Sequence, residues 1–167
     1  MAKNIKNGFT LVEIMISIFV ISVAIIGIFQ ATTKYIQQTK FEKEGYVAAL
    51  LGQEAIEIVK NFRDTNWVEG DAGGWNNGLT SCSAGCEIDY DDTSFTLWSG
   101  SGRNLYLEGS SGLFKYLASP GINDVKTIYT RKVIITESGS DKLSIVVNVY
   151  WKGNTTVVKE DIYNWKI

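Results

Sequence analysis

The chain has 167 residues, room for one domain of ordinary size with a single core. Its composition, 45% hydrophobic and 20% charged with a formal net charge of -2 and a mean hydropathy of zero, argues against a disordered tail, a collagen or a many-span membrane protein. The absence of histidine removes the Ser-His-Asp and Cys-His nucleophile arrangements and the commonest general base at neutral pH, and the weakly acidic balance offers no footprint for nucleic acid.

These averages conceal a division. Residues 1–8 (MAKNIKNG) hold Lys3 and Lys6, contain no acid and end in Gly8. Between Phe9 and Phe29, 16 of 21 residues are apolar. As a helix this stretch spans roughly 31 Å, close to the hydrocarbon thickness of a bilayer. With both leader lysines ahead of it, the positive-inside rule leaves the first residues in the cytosol and exports the rest. A secretory signal peptide shares the basic start, and Ser22-Val23-Ala24 offers a small-x-small cleavage match, but the apolar run continues to Phe29. A plain single-span anchor explains the length and leaves Glu13 unexplained, because a carboxylate in an apolar helix costs up to about 3 kcal/mol at the bilayer centre and less near an end.

Lys6-Asn7-Gly8 followed by Phe9-Thr10-Leu11-Val12-Glu13 and a long apolar helix resembles the processing motif of type IV pilins and type II secretion pseudopilins. The resemblance implies cleavage between Gly8 and Phe9 by a prepilin peptidase/methyltransferase, methylation of the new amine on Phe9, and assembly into a filament. It also implies that the Glu13 carboxylate meets the N-terminus of a neighbouring subunit and sets the axial register. The spacing also allows an internal pairing: the mature Phe9 amine of the same chain lies four positions before Glu13, on the same helix face, and the positive end of the helix dipole attracts a carboxylate there. Loss of residues 1–8 removes two lysines and no acids, leaving 14 cations against 18 acids. An anchor without its cytosolic lysines is more easily withdrawn from the membrane.

Beyond Phe29 the helix is expected to continue. There is no proline from Lys34 to Asp64; Leu51, Ala55, Ile58 and Phe62 recur at helical spacing, and Gln53, Glu57, Lys60 and Asp64 form a polar face. The alternative is two helices broken near Gly45 or Gly52, since an interior glycine costs about 1 kcal/mol relative to alanine. From residue 65 the texture changes: ten of the 16 glycines fall between Gly70 and Gly121, with short apolar pieces at 95–98, 105–107 and 113–117. These predict loops and short edge strands. Residues 127–137, 142–151 and 155–165 predict an antiparallel meander, with Leu143, Ile145, Val147, Val149 and Trp151 on its buried face. Ser138 to Asp141 and Lys152 to Asn154 are its turns.

The organisation read from these patterns is a leader (1–8), a transmembrane and filament-core helix (9–30), its amphipathic continuation (31–64), a glycine-rich region of loops and short strands (65–124) and a β-meander (125–167). The fold class is α+β, with the back of the long helix covering the apolar face of an antiparallel sheet head. The pilin resemblance implies the same plan.

Three features of the head invite chemistry. Cys82 and Cys86 flank a Ser-Ala-Gly turn and are expected to form a local disulfide in an exported domain, against two free thiols or an intermolecular link. Glu87, Asp89, Asp91 and Asp92 offer oxygen ligands for calcium, the alternative being a solvated acidic turn; no cofactor is otherwise indicated. Trp75 and Trp98 lie outside the predicted sheet core and are the residues on which a carbohydrate-binding reading rests.

Together these readings describe a structural subunit and not an enzyme, with a prepilin peptidase, other pilin or pseudopilin subunits, an inner-membrane assembly platform and the lipid bilayer as partners. It is expected in the inner membrane with a cytosolic leader and an exported head, and then in a surface or periplasmic filament. The competing reading is a permanently membrane-anchored extracytoplasmic binding domain.

Overall fold

The structure is a computed structural model that describes residues 8–70 and 73–165; the leader lysines Lys3 and Lys6 lie outside the described residues. The chain divides into two compact units, Met1–Glu44 and Gly45–Ile167. Its elements are helix α1 (Leu11–Glu69), a 3-10 turn (Thr80–Cys82), and strands β1 (Cys86–Glu87), β2 (Thr96–Leu97), β3 (Asn104–Leu107), β4 (Phe114–Lys115), β5 (Val125–Glu137), β6 (Lys142–Trp151) and β7 (Asn154–Tyr163). The α+β class expected from the sequence is the one found.

In the first unit, every residue from Gly8 to Lys43 is exposed. The helix is stable there through its backbone ladder and its caps, not through packing within the chain. Its apolar part is long enough to cross a membrane, with a mean hydropathy of 2.7 over 18 residues. Ser17, Ser22, Thr32 and Thr33 each donate their hydroxyl to the carbonyl four residues back, at 2.7–3.0 Å. Those polar groups are thus satisfied inside the helix, as an apolar surrounding requires.

The second unit holds the core. Ala48, Leu51, Ala55, Ile56 and Val59 of α1 are buried together with Val133, Ile135, Leu143, Ile145, Val147, Val149 and Trp151 of the sheet. Ile58 and Phe62, expected on the buried face, are only partly buried against this cluster, because the true stripe is turned toward Ile56 and Val59. The helix passes through Gly45 and Gly52 without a break. A Cβ at Gly52 would lie 2.6 Å from Val158 Cγ2, and one at Gly45 would lie 3.3 Å from the Trp151 ring. At these glycines the helix lies against side chains of the sheet, and that contact offsets their low propensity. The helix runs to Glu69, beyond the expected end at Asp64, and stops at Gly70 with φ of 65°.

All strand pairings are antiparallel. β5 is the central strand. One of its edges pairs with β6 from Thr130↔Tyr150 to Glu137↔Leu143, and β6 pairs along its length with β7. The other edge is shared: β3 takes the start of β5, with β4 outside it, and β1 takes Val133, with β2 outside it. The predicted meander is therefore present; of the short apolar pieces predicted as edge strands, β2 and β4 lie at edges, while β3 lies between β5 and β4. The β6–β7 hairpin turns on Lys152 and Gly153, with φ of 44° and 77°; two positive φ values match the twist of the flanking strands.

Candidate functional site

The N-terminal residues singled out by the sequence lie at the start of α1. Gly8, Phe9 and Thr10 stand outside the helix. Phe9 is 78% exposed, and a Cβ built on Gly8 would meet nothing within 4 Å. Gly8 and Phe9 are thus both exposed, and no packing among the described residues demands glycine at position 8. Thr10 is the N-cap: its Oγ1 accepts the Glu13 N–H at 3.3 Å and its carbonyl accepts the Ile14 N–H at 3.2 Å. Glu13 is thus the third residue of the helix, in the turn whose free N–H groups favour negative charge. Among the described residues, no hydrogen bond or ion pair engages its carboxylate. The neighbouring hydroxyls are satisfied within the chain, whereas this carboxylate lies on the exposed first turn of an apolar helix.

The acidic loop of the head is divided by the fold. Cys82 and Cys86 form a disulfide with Cα atoms 5.2 Å apart, and both are fully buried. This bond ties the 3-10 turn to β1, which buries Glu87 to 2% exposure. Glu87 turns away from the aspartates to Arg103, accepting its backbone N–H at 2.6 Å and its Nε–H at 2.5 Å. Asp89, Asp91 and Asp92 stay together, with one carboxylate oxygen of each within 4.8 Å of the others. All three already have partners. Asp89 accepts the Tyr116 N–H at 2.8 Å, Asp92 accepts the Asp89 N–H at 2.9 Å, and Asp91 is paired with Lys115. Burial first, then the hydrogen bond shared with Asp91, pushes the Asp89 carboxyl up to about 6. The same hydrogen bond, followed by that from Lys115, holds the Asp91 carboxyl below its ordinary value.

The polar centre of the head is not among the residues that the sequence singles out. Arg131 occupies an inward position of β5 between Tyr129 and Val133 and is wholly buried. Its guanidinium donates to Leu51 O at 2.9 Å and Glu54 Oε1 at 3.2 Å on α1, and to Ile88 O at 2.5 Å beyond β1. The Arg131 carbonyl accepts the Tyr116 hydroxyl at 3.0 Å, whose pKa burial pushes up to about 12. One side chain therefore joins helix, sheet and acidic loop. Its only signal in the sequence is a charge in an otherwise apolar alternation. The two tryptophans considered for carbohydrate are occupied by packing: Trp75 lies against the core 6.3 Å from the Trp67 ring, while Trp98 lies 6.0 Å from Tyr150 and donates its Nε1–H to Gly100 O.

No curated protein and no solved structure matches the chain. Residues 3–29 match the prokaryotic N-terminal methylation motif, a stretch that contains Gly8, Phe9, the Thr10 cap and Glu13. The chain carries, at its N-terminus, the signature of type IV pilins and pseudopilins.

Proposed function

We propose that the protein is a type IV pilin-like or pseudopilin structural subunit, cut after Gly8 by a prepilin peptidase, N-methylated on Phe9 and assembled through α1 into a pilus or a type II secretion pseudopilus. One observation carries this reading: among the described residues the Glu13 carboxylate has no partner, although it stands in the first turn of an exposed apolar helix whose Ser17 and Ser22 hydroxyls are satisfied internally. A neighbouring subunit's N-terminal amine would supply the missing cation, and the same contact would set the stagger between subunits.

On this reading the precursor sits in the inner membrane with its leader in the cytosol and its head exported. The prepilin peptidase acts first; the assembly platform then withdraws the helix from the bilayer into the filament, where other subunits cover its apolar surface.

Intact mass of the protein purified from envelopes tests the proposal. The expected form lacks residues 1–8 and carries one added methyl group. A chain with its leader intact supports instead a permanently anchored binding domain. Glu13→Val is expected to be processed yet fail to enter filaments, and normal incorporation of that variant would remove the register role.

A further inference from the structure

We propose that Thr10 is a positioning residue for leader cleavage: by capping α1 it holds the Gly8–Phe9 bond outside the helix, where a peptidase can reach it. The proposal rests on the processing reading above. Cleavage adds one water across that bond, so that the Gly8 carbonyl leaves as the leader's carboxylate and the Phe9 nitrogen becomes the mature amine. The enzyme must approach this carbonyl, and proteases cut exposed, non-helical backbone.

The geometry places the helix start two residues past the bond. α1 begins at Leu11, Gly8 to Thr10 are non-helical, and Phe9 is exposed. The boundary is made by a single side-chain oxygen, Thr10 Oγ1, which accepts the Glu13 N–H. Nothing else among the described residues pins it, since the first unit has no core and the space around Gly8 is open.

The sequence also provides a competing start. Asn7, three residues upstream, is of a type that caps helices as well as threonine does. A helix capped there would take Gly8 and Phe9 as its first two residues and would draw the scissile bond into helical geometry. Phe9 and Leu11 are not helix breakers, and Gly8 opposes this extension by about 1 kcal/mol, a cost of the same size as one N-cap. The Thr10 cap and Gly8 therefore favour the same register of the helix start, the one that leaves the bond outside the helix.

The experiment follows cleavage of the full-length precursor over time in membranes containing a prepilin peptidase, with intact mass as the readout. Thr10→Val keeps the shape and removes the acceptor oxygen; its cleavage is expected to slow about tenfold, the population shift that loss of one N-cap produces. Thr10→Ser restores an acceptor and the wild-type rate. Adding Asn7→Ala to Thr10→Val removes the competing cap and is expected to recover most of the rate. Equal rates for Thr10→Val and wild type overturn the proposal, and so does a slow double variant, which would mean that the peptidase reads the hydroxyl directly. A wild-type precursor that is never cut overturns the proposed function, and the inference with it.

Discussion

Gly27 and Gly52 lie on the same helix, yet one faces open space and the other lies against Val158. That contrast holds for the two regions as wholes. From Gly8 to Lys43 no side chain is buried, whereas in the second unit the helix from Ala48 to Val59 contributes five apolar side chains to the core. The first region presents an apolar surface that the chain does not cover; the second is shaped for a partner the chain itself supplies. A helix can meet both demands because its ladder is internal and independent of what covers its surface.

The contrast can be tested by perturbing each region separately. The largest effect is expected at Arg131. Arg131→Ala strands Glu54 and the Ile88 carbonyl without their partner and empties a wholly buried site, so the head should lose about 3 to 5 kcal/mol in denaturant melts. Leader cleavage of the same variant should proceed normally, since none of those contacts involves the first unit.

Next is the pH dependence carried by Asp89. Its carboxyl is raised from the unfolded value of 3.8 to about 6, so the folded state binds the extra proton between those values. Stability should therefore fall as pH rises through about 6, by up to about 3 kcal/mol. Asp91, Asp124 and Asp161, held below the ordinary carboxylate value, act in the opposite sense, and their contributions are lost only as pH falls below about 4. Thermal melts between pH 4 and pH 7 should show the decline, most of it complete by about pH 6, and Asp89→Asn should flatten it.

Gly52→Ala follows. Overpacking against Val158 costs about 1 to 3 kcal/mol, against about 1 kcal/mol gained in helix propensity, so a net loss of up to about 2 kcal/mol is expected. A raised melting temperature would show that the helix can move off the sheet. The smallest effect on the head is expected from Glu13→Val, within about 0.5 kcal/mol by the same melts, although it should abolish assembly. A large loss of head stability in that variant would erase the distinction between the regions.

Much of the fold is legible in the amino-acid order alone. The apolar block and the period-two alternation of β6 each name a local structure through spacing. Boundaries are less legible. The helix continues to Glu69 because Trp67, near its end, is buried in the second unit, and tertiary burial there outweighs a polar local sequence. Glycine misleads in a similar way: in sequence Gly52 resembles a break, and only the position of Val158 reveals it as a close approach.

The candidate residues divide along the same line. Gly8, Phe9 and Glu13 lie at the start of α1, the first two ahead of the Thr10 cap and the third in the first turn, so their placement depends only on neighbours in sequence. The four acids of the loop look equivalent in sequence, but Glu87 is taken by Arg103, 16 positions away, while the aspartates meet Tyr116 and Lys115 from the neighbourhood of β4.

Whatever depends on local periodicity is already settled by the order of residues: the membrane-length helix, the lone acid within it and the strands of the meander. Whatever depends on distant segments meeting is settled only by folding. Folding places Arg131 between helix, sheet and loop, separates Glu87 from the aspartates, and packs Trp75 and Trp98 into the head. The difference is one of range. Backbone hydrogen bonding and hydrophobic period act over a few residues, whereas the cost of burying a charge is set by partners that the fold brings from elsewhere in the chain.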